Sequence, residues 1–147
     1  MDESKKAAYI FPGQGSQAVG MGQDLYDTYP TAKRIFEEAD DRLGFSLSGL
    51  CFEGPEDELR KTVNAQPALV TMSYACLKAA QETGKGLPSP AYLAGHSLGE
   101  YTALAAADVL DFADTVFLAR ERGRLMYEAG LLQPGTMAAI IGLDEAV

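Results

Sequence analysis

The sequence predicts an α/β fold, in which short apolar strands alternate with amphipathic helices. Three observations lead to this prediction. Residues 9–11, 92–95 and 137–141 form short apolar runs bounded by glycine or proline, as expected of strands, and the first is expected to be buried. Apolar residues at helical spacing occupy much of the sequence between these runs. The stretch Gly95-His96-Ser97-Leu98-Gly99 joins the second strand to a helix through a turn.

The composition is that of one globular domain in the cytoplasm. Of its 147 residues, 47% are hydrophobic and 22% are charged. The formal net charge of −9 argues against nucleic-acid binding, because that binding relies on Lys and Arg neutralising phosphates. No apolar run is long enough to span a membrane, and the polar N-terminus does not resemble a signal peptide. Cys51 and Cys76 lack metal-ligand spacing and are expected to be reduced core thiols.

The first strand leads into a loop and then into two helices. The segment "GQGSQAVGMGQ" holds too many glycines for a regular element. Residues 31–43 are predicted to form a helix, with Gly44 as its C-cap glycine. The apolar face of this helix consists of Ile35, Phe36, Ala39 and Leu43. A short helix is expected at "GPEDEL", with Pro55 in its first turn.

The second half of the sequence predicts three further helices, at residues 66–83, 98–107 and 111–129. The inward face of the first is expected to hold Leu69, Met72, Cys76, Leu77 and Ala80, and that of the last Phe112, Val116, Ala119 and Met126. The third strand, 137–141, has no obvious partner, and Asp144 is typical of the N-cap of a further helix. We therefore expect the 147 residues to be part of a larger fold, or to be completed by another chain.

The spacing Gly95-x-Ser97-x-Gly99 indicates a nucleophilic serine. A serine on a sharp strand-to-helix turn has its hydroxyl exposed, and the flanking glycines allow the strand and the helix to approach. The backbone N–H of Leu98, at the helix N-terminus, could donate to a developing oxyanion. The alternative is a tight turn in which Ser97 only caps the helix.

The "FPGQGSQA" stretch formally matches the dinucleotide fingerprint at Gly13, Gly15 and Ala18. That fingerprint requires a helix beginning within it, and Gly20 and Gly22 would break such a helix. We interpret the stretch as a loop that places backbone N–H groups near a reacting atom, and a plain surface loop remains the alternative.

His96 is the only histidine in the sequence. Neighbouring side chains diverge on a sharp turn, so His96 is poorly placed to deprotonate Ser97 and is expected to pack beneath the turn. A nucleophilic serine needs a general base. The sequence therefore provides no evident base for Ser97.

Five stretches resemble the malonyl-CoA:acyl carrier protein transacylase family, in the order in which that family has them. They are "YIFPGQGSQAVGMG", "NAQPAL", "GHSLGEYTAL", "RERGRLM" and "GTMAAIIGL". The resemblance covers nearly the whole chain and matches the N-terminal part of the family. It implies an α/β-hydrolase-like large subdomain over 1–136, truncated at the start of a ferredoxin-like small subdomain over 137–147.

The resemblance also implies a function in fatty acid biosynthesis. Malonyl would move from malonyl-CoA to a serine ester and then to acyl carrier protein, without a metal or redox cofactor. Ser97 matches the nucleophile, and Gln14 and Leu98 match the two backbone N–H donors of the oxyanion hole. We group Arg122, Gln66 and His96 as substrate-binding residues. Arg122 matches the arginine that pairs with the malonyl carboxylate, Gln66 the active-site glutamine, and His96 the histidine beside the serine.

The family's catalytic histidine and the residue that orients it fall after position 147, so we expect an inactive N-terminal part. Helical spacing alone does not select Arg122 over Arg120 or Arg124 as the carboxylate ligand. Two other functions stay open. One is an α/β-hydrolase esterase or thioesterase, which would need an acid and a histidine after Ser97. The other is a non-catalytic half that binds coenzyme A thioesters or a carrier protein.

Overall fold

The computed structural model describes residues 6–84, 86–135 and 142. These residues form a mixed α/β structure that is mostly helical, which confirms the predicted fold class at this level. The elements are β1 (Ala7–Phe11), α1 (Gln23–Thr28), α2 (Pro30–Leu43), α3 (Leu47–Glu53), α4 (Glu56–Arg60), α5 (Thr62–Glu82), β2 (Pro90–Gly95), α6 (Gly99–Ala106) and α7 (Phe112–Leu132). The predicted strand at 137–141, the cap at Asp144 and the proposed small subdomain lie outside the described residues.

Strands β1 and β2 are parallel neighbours, with Phe11 opposite Gly95. The pairing continues one residue further, because the backbone N–H of His96 donates to the carbonyl of Phe11 at 3.0 Å. The C-terminal ends of parallel strands meet at one edge of the sheet. The glycine-rich loop after β1 and the Ser97 turn after β2 therefore lie side by side.

The expectation that the first strand is buried is wrong for most of β1, in which Phe11 alone is buried. Phe11 is 7% exposed, but Ile10 is 76% exposed and Tyr92 is 60% exposed. Helix α6 packs against both strands and covers them from one side. Alternate strand residues point to opposite faces, so Ile10 and Phe11 have different surroundings.

The core is built around α5, which packs against α2 and α7. The inward faces predicted for α2 and α7 are largely confirmed: Ile35, Phe36, Ala39, Phe112, Val116 and Ala119 are all buried. The ring of Phe112 stacks on that of Tyr74 in α5, with centroids 5.0 Å apart. Met126 departs from the prediction, because it lies near the exposed end of α7 and is 37% exposed.

Helix α5 begins at Thr62, one turn earlier than predicted, so Pro67 lies inside the helix. The predicted inward face is confirmed only in part, since Leu69 belongs to the core and Met72 packs against it. Among its five residues only Leu69 is buried, and all five line an open apolar groove beside β1. The face that packs against the other helices carries the small residues Ala68, Ala75 and Ala79, which allow a close approach.

The two cysteines have different surroundings. Cys51, in α3, is fully buried as expected, and burial raises the pKa of its thiol to about 12, with a smaller contribution from the nearby Asp40 carboxylate. Cys76 lies in the open groove and is exposed, so its assignment as a core thiol is wrong. It faces the groove because the packed face of α5 is the alanine-rich one.

Candidate active site

Ser97 lies on a tight turn between β2 and α6. Its φ of 55° is in the left-handed region, which costs free energy for any residue with a Cβ atom. The glycines on either side are required by close contacts. A Cβ on Gly95 would lie 2.0 Å from the carbonyl carbon of Gly99, and one on Gly99 would lie 2.4 Å from the oxygen of Phe11. The strand–turn–helix geometry that the motif predicts is therefore present.

Several backbone N–H groups near this turn make no hydrogen bond to another described residue, and two of them belong to residues that the sequence singles out. One belongs to Leu98, a fully buried residue at the N-cap of α6. The other belongs to Gln14, in the loop after β1, whose side-chain amide reaches Thr62 Oγ1 at 3.4 Å. Both groups lie at the C-terminal ends of the paired strands, and both are free to donate to a ligand.

The hydroxyl of Ser97 is contacted by an arginine from α7. Nη2 of Arg122 donates to Oγ of Ser97 at 2.9 Å, and Nη1 of the same guanidinium donates to Oε1 of Gln66 at 2.6 Å. Gln66 is fully buried, and its Nε2 donates to the sulfur of Met126 at 3.3 Å. Both ends of the Gln66 amide are thus occupied, so its oxygen is held toward Arg122.

A close approach of α7 to the first turn of α5 brings these side chains together. A Cβ on Gly123 would lie 2.6 Å from the carbonyl oxygen of Thr62 and 2.9 Å from Cα of Val63. Only glycine allows the two backbones to come so near. Arg122 is the residue before this contact and Gln66 lies one turn beyond it on α5. Gly123 is not among the residues that the sequence predicts for the site, although it lies within "RERGRLM".

The structure distinguishes Arg122 from its two neighbours. Arg124 forms ion pairs with Glu121 at 2.9 Å and Glu128 at 2.7 Å, which raise the pKa of the Arg124 guanidinium. Arg120 donates to Asn64 Oδ1 at 3.2 Å and lies 4.2 Å above the ring of Phe45. Burial lowers the pKa of Arg120. Of the three arginines, Arg122 is the one that contacts Ser97.

His96 does not pack beneath the turn, so that expectation is wrong. The residue is exposed, and its imidazole lies against Gly13 of the neighbouring loop. Within the described part of the chain, the hydrogen bond to Ser97 Oγ comes from Arg122. The prediction that His96 does not act directly on Ser97 agrees with this arrangement.

The site combines the Ser97 hydroxyl, the adjacent Arg122 guanidinium, and the backbone N–H groups of Gln14 and Leu98. Such an arrangement can hold an acyl group that carries a carboxylate. Within residues 6–84 and 86–135, no cluster of three or more His, Cys, Asp or Glu residues could hold a metal ion. No helix in the same ranges is long and apolar enough to cross a membrane.

Comparison with known proteins gives consistent matches. The acyl transferase domain model matches residues 8–146. The chain is 53% identical over 139 residues to a malonyl CoA-acyl carrier protein transacylase of Bacillus subtilis, covering 95% of this chain and 43% of that protein. It thus spans less than half the length of this curated relative.

Solved structures agree. The acyl-carrier-protein-S-malonyltransferase of Bartonella henselae superposes with a TM-score of 0.83 at 43% identity, covering 96% of this chain and 45% of the other. A complex of a type II PKS acyl-carrier protein with its malonyl-transacylase gives a TM-score of 0.79 at 48% identity, covering 85% of this chain and 40% of the other.

Proposed function

The chain belongs to the acyl transferase domain family, and from that premise we propose that the protein transfers malonyl from coenzyme A to acyl carrier protein in fatty acid biosynthesis. Ser97 carries the malonyl group between the two thiols. The relative in Bacillus subtilis and the solved complex with a carrier protein support the choice of substrate and partner, since their names state this activity and this partner.

The contact between Arg122 and Ser97 carries the proposal. In a malonyl ester, a single methylene separates the carboxylate from the ester carbonyl. A guanidinium 2.9 Å from Oγ therefore lies within reach of that carboxylate once the ester has formed. Arginine suits the task because its planar fork can donate two parallel hydrogen bonds to a carboxylate. Gln66 holds one nitrogen of the fork and so positions it.

The proposed reaction has two steps. Oγ of Ser97 attacks the thioester carbonyl of malonyl-CoA and gives its proton to a base, the carbon–sulfur bond breaks, and the coenzyme A thiolate leaves and takes up the proton. In the second step the thiol of the carrier protein gives its proton to the base and attacks the ester carbonyl. The carbon–oxygen bond breaks, Oγ takes up that proton, and the malonyl thioester of the carrier protein is released. The N–H groups of Gln14 and Leu98 donate to the oxyanion formed in each step.

We also propose how the chain divides into subdomains. Residues 1–136 would be part of an α/β-hydrolase-like subdomain of a cytoplasmic enzyme, and 137–147 would begin a ferredoxin-like subdomain. The parallel strands, the turn at Ser97 and the packing of α6 against both strands support the first part. Residues 137–147 lie outside the described structure.

The experiment is a transfer assay with the protein as its organism encodes it. Malonyl-CoA and acyl carrier protein are supplied, and both malonyl-carrier protein and free malonate are measured, with Ser97→Ala as the inactive control. We expect malonyl-carrier protein as the main product. Free malonate as the main product would instead indicate a thioesterase, and binding of malonyl-CoA without turnover would indicate a non-catalytic half.

A further inference from the structure

We propose that the imidazole of His96 is a positioning group that holds the Gly13–Gln14 peptide in place as part of the oxyanion hole. The inference rests on the proposed function, since it concerns how that same site stabilises its transition state. It links the glycine-rich loop and the Ser97 turn, which the sequence presents as separate motifs.

The first observation is the contact between His96 and Gly13. A Cβ built on Gly13 would lie 2.4 Å from Nδ1 and 3.3 Å from Cε1 of His96, and 3.0 Å from its carbonyl oxygen. The imidazole therefore occupies the space that any other residue at position 13 would need. Gly13 is not in the positive-φ region, in contrast to Gly15 with a φ of 128°, so close approach explains the glycine at position 13.

The second observation is covalent geometry. The Cα of Gly13 is bonded directly to the peptide whose N–H belongs to Gln14, and that peptide is planar. A shift of Gly13 therefore moves the proposed oxyanion donor by a similar amount. Donors in such sites act at about 2.7–3.1 Å from the oxyanion, so a displacement of about 1 Å removes most of the effect.

The third observation is that the loop has few other restraints near Gln14. The N–H of Gly15 is bonded within the loop itself, to Gln17 Oε1 at 3.0 Å. The backbone bond that ties this loop to α3 comes later, at Gly20, whose N–H donates to the carbonyl of Cys51 at 2.8 Å. The Gln14 side chain makes one long contact, of 3.4 Å, to Thr62. The backbone of His96, in contrast, is fixed at two points, because its N–H donates to Phe11 at 3.0 Å and its carbonyl accepts from Gly99 at 2.9 Å. We therefore infer that the contact with His96 holds this part of the loop in position.

This role depends on the shape of the ring and not on its proton. His96→Phe keeps a flat ring beside Gly13 but cannot carry a proton, whereas His96→Ala removes the ring. The readout is single-turnover acylation of Ser97 by malonyl-CoA at increasing concentration, in the protein as encoded, which separates the limiting rate from half-saturation. Melting temperatures of all variants are measured in parallel.

We expect His96→Ala to lower the limiting rate about 10- to 100-fold, since loss of a whole donor costs about 10²–10³-fold. Half-saturation should change by less than about twofold, because substrate binding is not the step affected. His96→Phe should keep most of the rate. Equal losses in the two variants would overturn the inference and indicate a proton-carrying role. A fall in melting temperature with a normal limiting rate would overturn it in favour of a structural role alone.

A double-mutant cycle tests the contact itself. Gly13→Ala should lower the limiting rate as His96→Ala does, and the double variant should be no slower than either single variant, because the 2.4 Å clash with the ring is gone. Additive losses would overturn the inference. If the wild-type protein is not acylated at Ser97, the proposed function fails and this inference with it. Normal wild-type acylation with an unaffected His96→Ala overturns the inference alone.

Discussion

Replacing Arg122 with alanine should change the acyl preference of the enzyme and not simply its overall activity. In the proposed reaction the malonyl carboxylate must leave water to reach Ser97, and Arg122, whose Nη2 lies 2.9 Å from Oγ, is the cation that we assign to it. Breaking a buried ion pair by removing one partner costs about 3–5 kcal/mol. Arg122 is only partly buried. We therefore use the lower end, about 3 kcal/mol, or on the order of 100-fold in kcat/KM for malonyl-CoA.

Acetyl-CoA lacks the carboxylate, so its transfer should be unchanged or faster in Arg122→Ala. The assay is the ratio of kcat/KM for malonyl-CoA to that for acetyl-CoA in the protein as encoded. Arg124→Ala is the matched control, because it removes a charge two residues away on α7 whose partners are Glu121 and Glu128.

The assignment of Arg122 to the carboxylate can be refuted by the same assay. Arg122 also donates to the Ser97 hydroxyl, and if that bond mainly tunes the nucleophile, both substrates would lose activity equally. An unchanged ratio in Arg122→Ala would therefore refute the assignment of Arg122 to the carboxylate. A large change of the ratio in Arg124→Ala would refute the claim that the neighbouring arginines are uninvolved.

Three further predictions concern residues 1–147 in isolation, the close approach at Gly123, and the two cysteines. A preparation of residues 1–147 alone should transfer malonyl at least about 10⁴-fold more slowly than a full-length malonyl transacylase. The reason is that the group contacting Ser97 Oγ is the Arg122 guanidinium, which cannot accept the hydroxyl proton. Comparable rates for the two proteins would contradict this. Gly123→Ala should destabilise the fold by about 1–3 kcal/mol and slow malonyl transfer, because its Cβ meets backbone at 2.6 Å. Gly130→Ala, in the same helix, is the control. A Cβ at position 130 would meet nothing within 4 Å, so this variant should be neutral or stabilising in thermal melts. A thiol reagent should modify Cys76 in the native protein but reach Cys51 only after unfolding, since burial raises the Cys51 pKa to about 12; rapid reaction of two thiols in the folded state would be inconsistent with the buried position.

The sequence predicts the parts of the fold in which one apolar face repeats over several turns. The pattern of α2 leads directly to its buried residues Ile35, Phe36 and Ala39. Helix α5 is apolar around most of its circumference, so spacing does not define its inward face, and the prediction chose the groove side. Helices α1 and α3 have six and seven residues, which is too short for a periodic signal, and they were not predicted.

The candidate site shows the same division between local and tertiary information. The turn at Ser97 is local, because the strand, Gly95 and Gly99 all lie within a few residues of Ser97 in sequence, and the motif predicts its geometry. The choice of Arg122 is tertiary. Three arginines at alternate positions of one helix have equivalent patterns, and what separates them is the approach of Gly123 to α5, which places Arg122 beside Gln66. The spacing of residues along the sequence does not reveal contacts between elements that are distant in sequence.

The most direct test of the central claim is to trap the acyl-enzyme. The protein as encoded is mixed with malonyl-CoA in the absence of acyl carrier protein, quenched in acid and mapped by peptide mass spectrometry. We predict one malonyl group, as an ester on Ser97, that is discharged when acyl carrier protein is added before the quench and is absent in Ser97→Ala. A malonyl group on another residue, or one that persists in Ser97→Ala, would contradict the account.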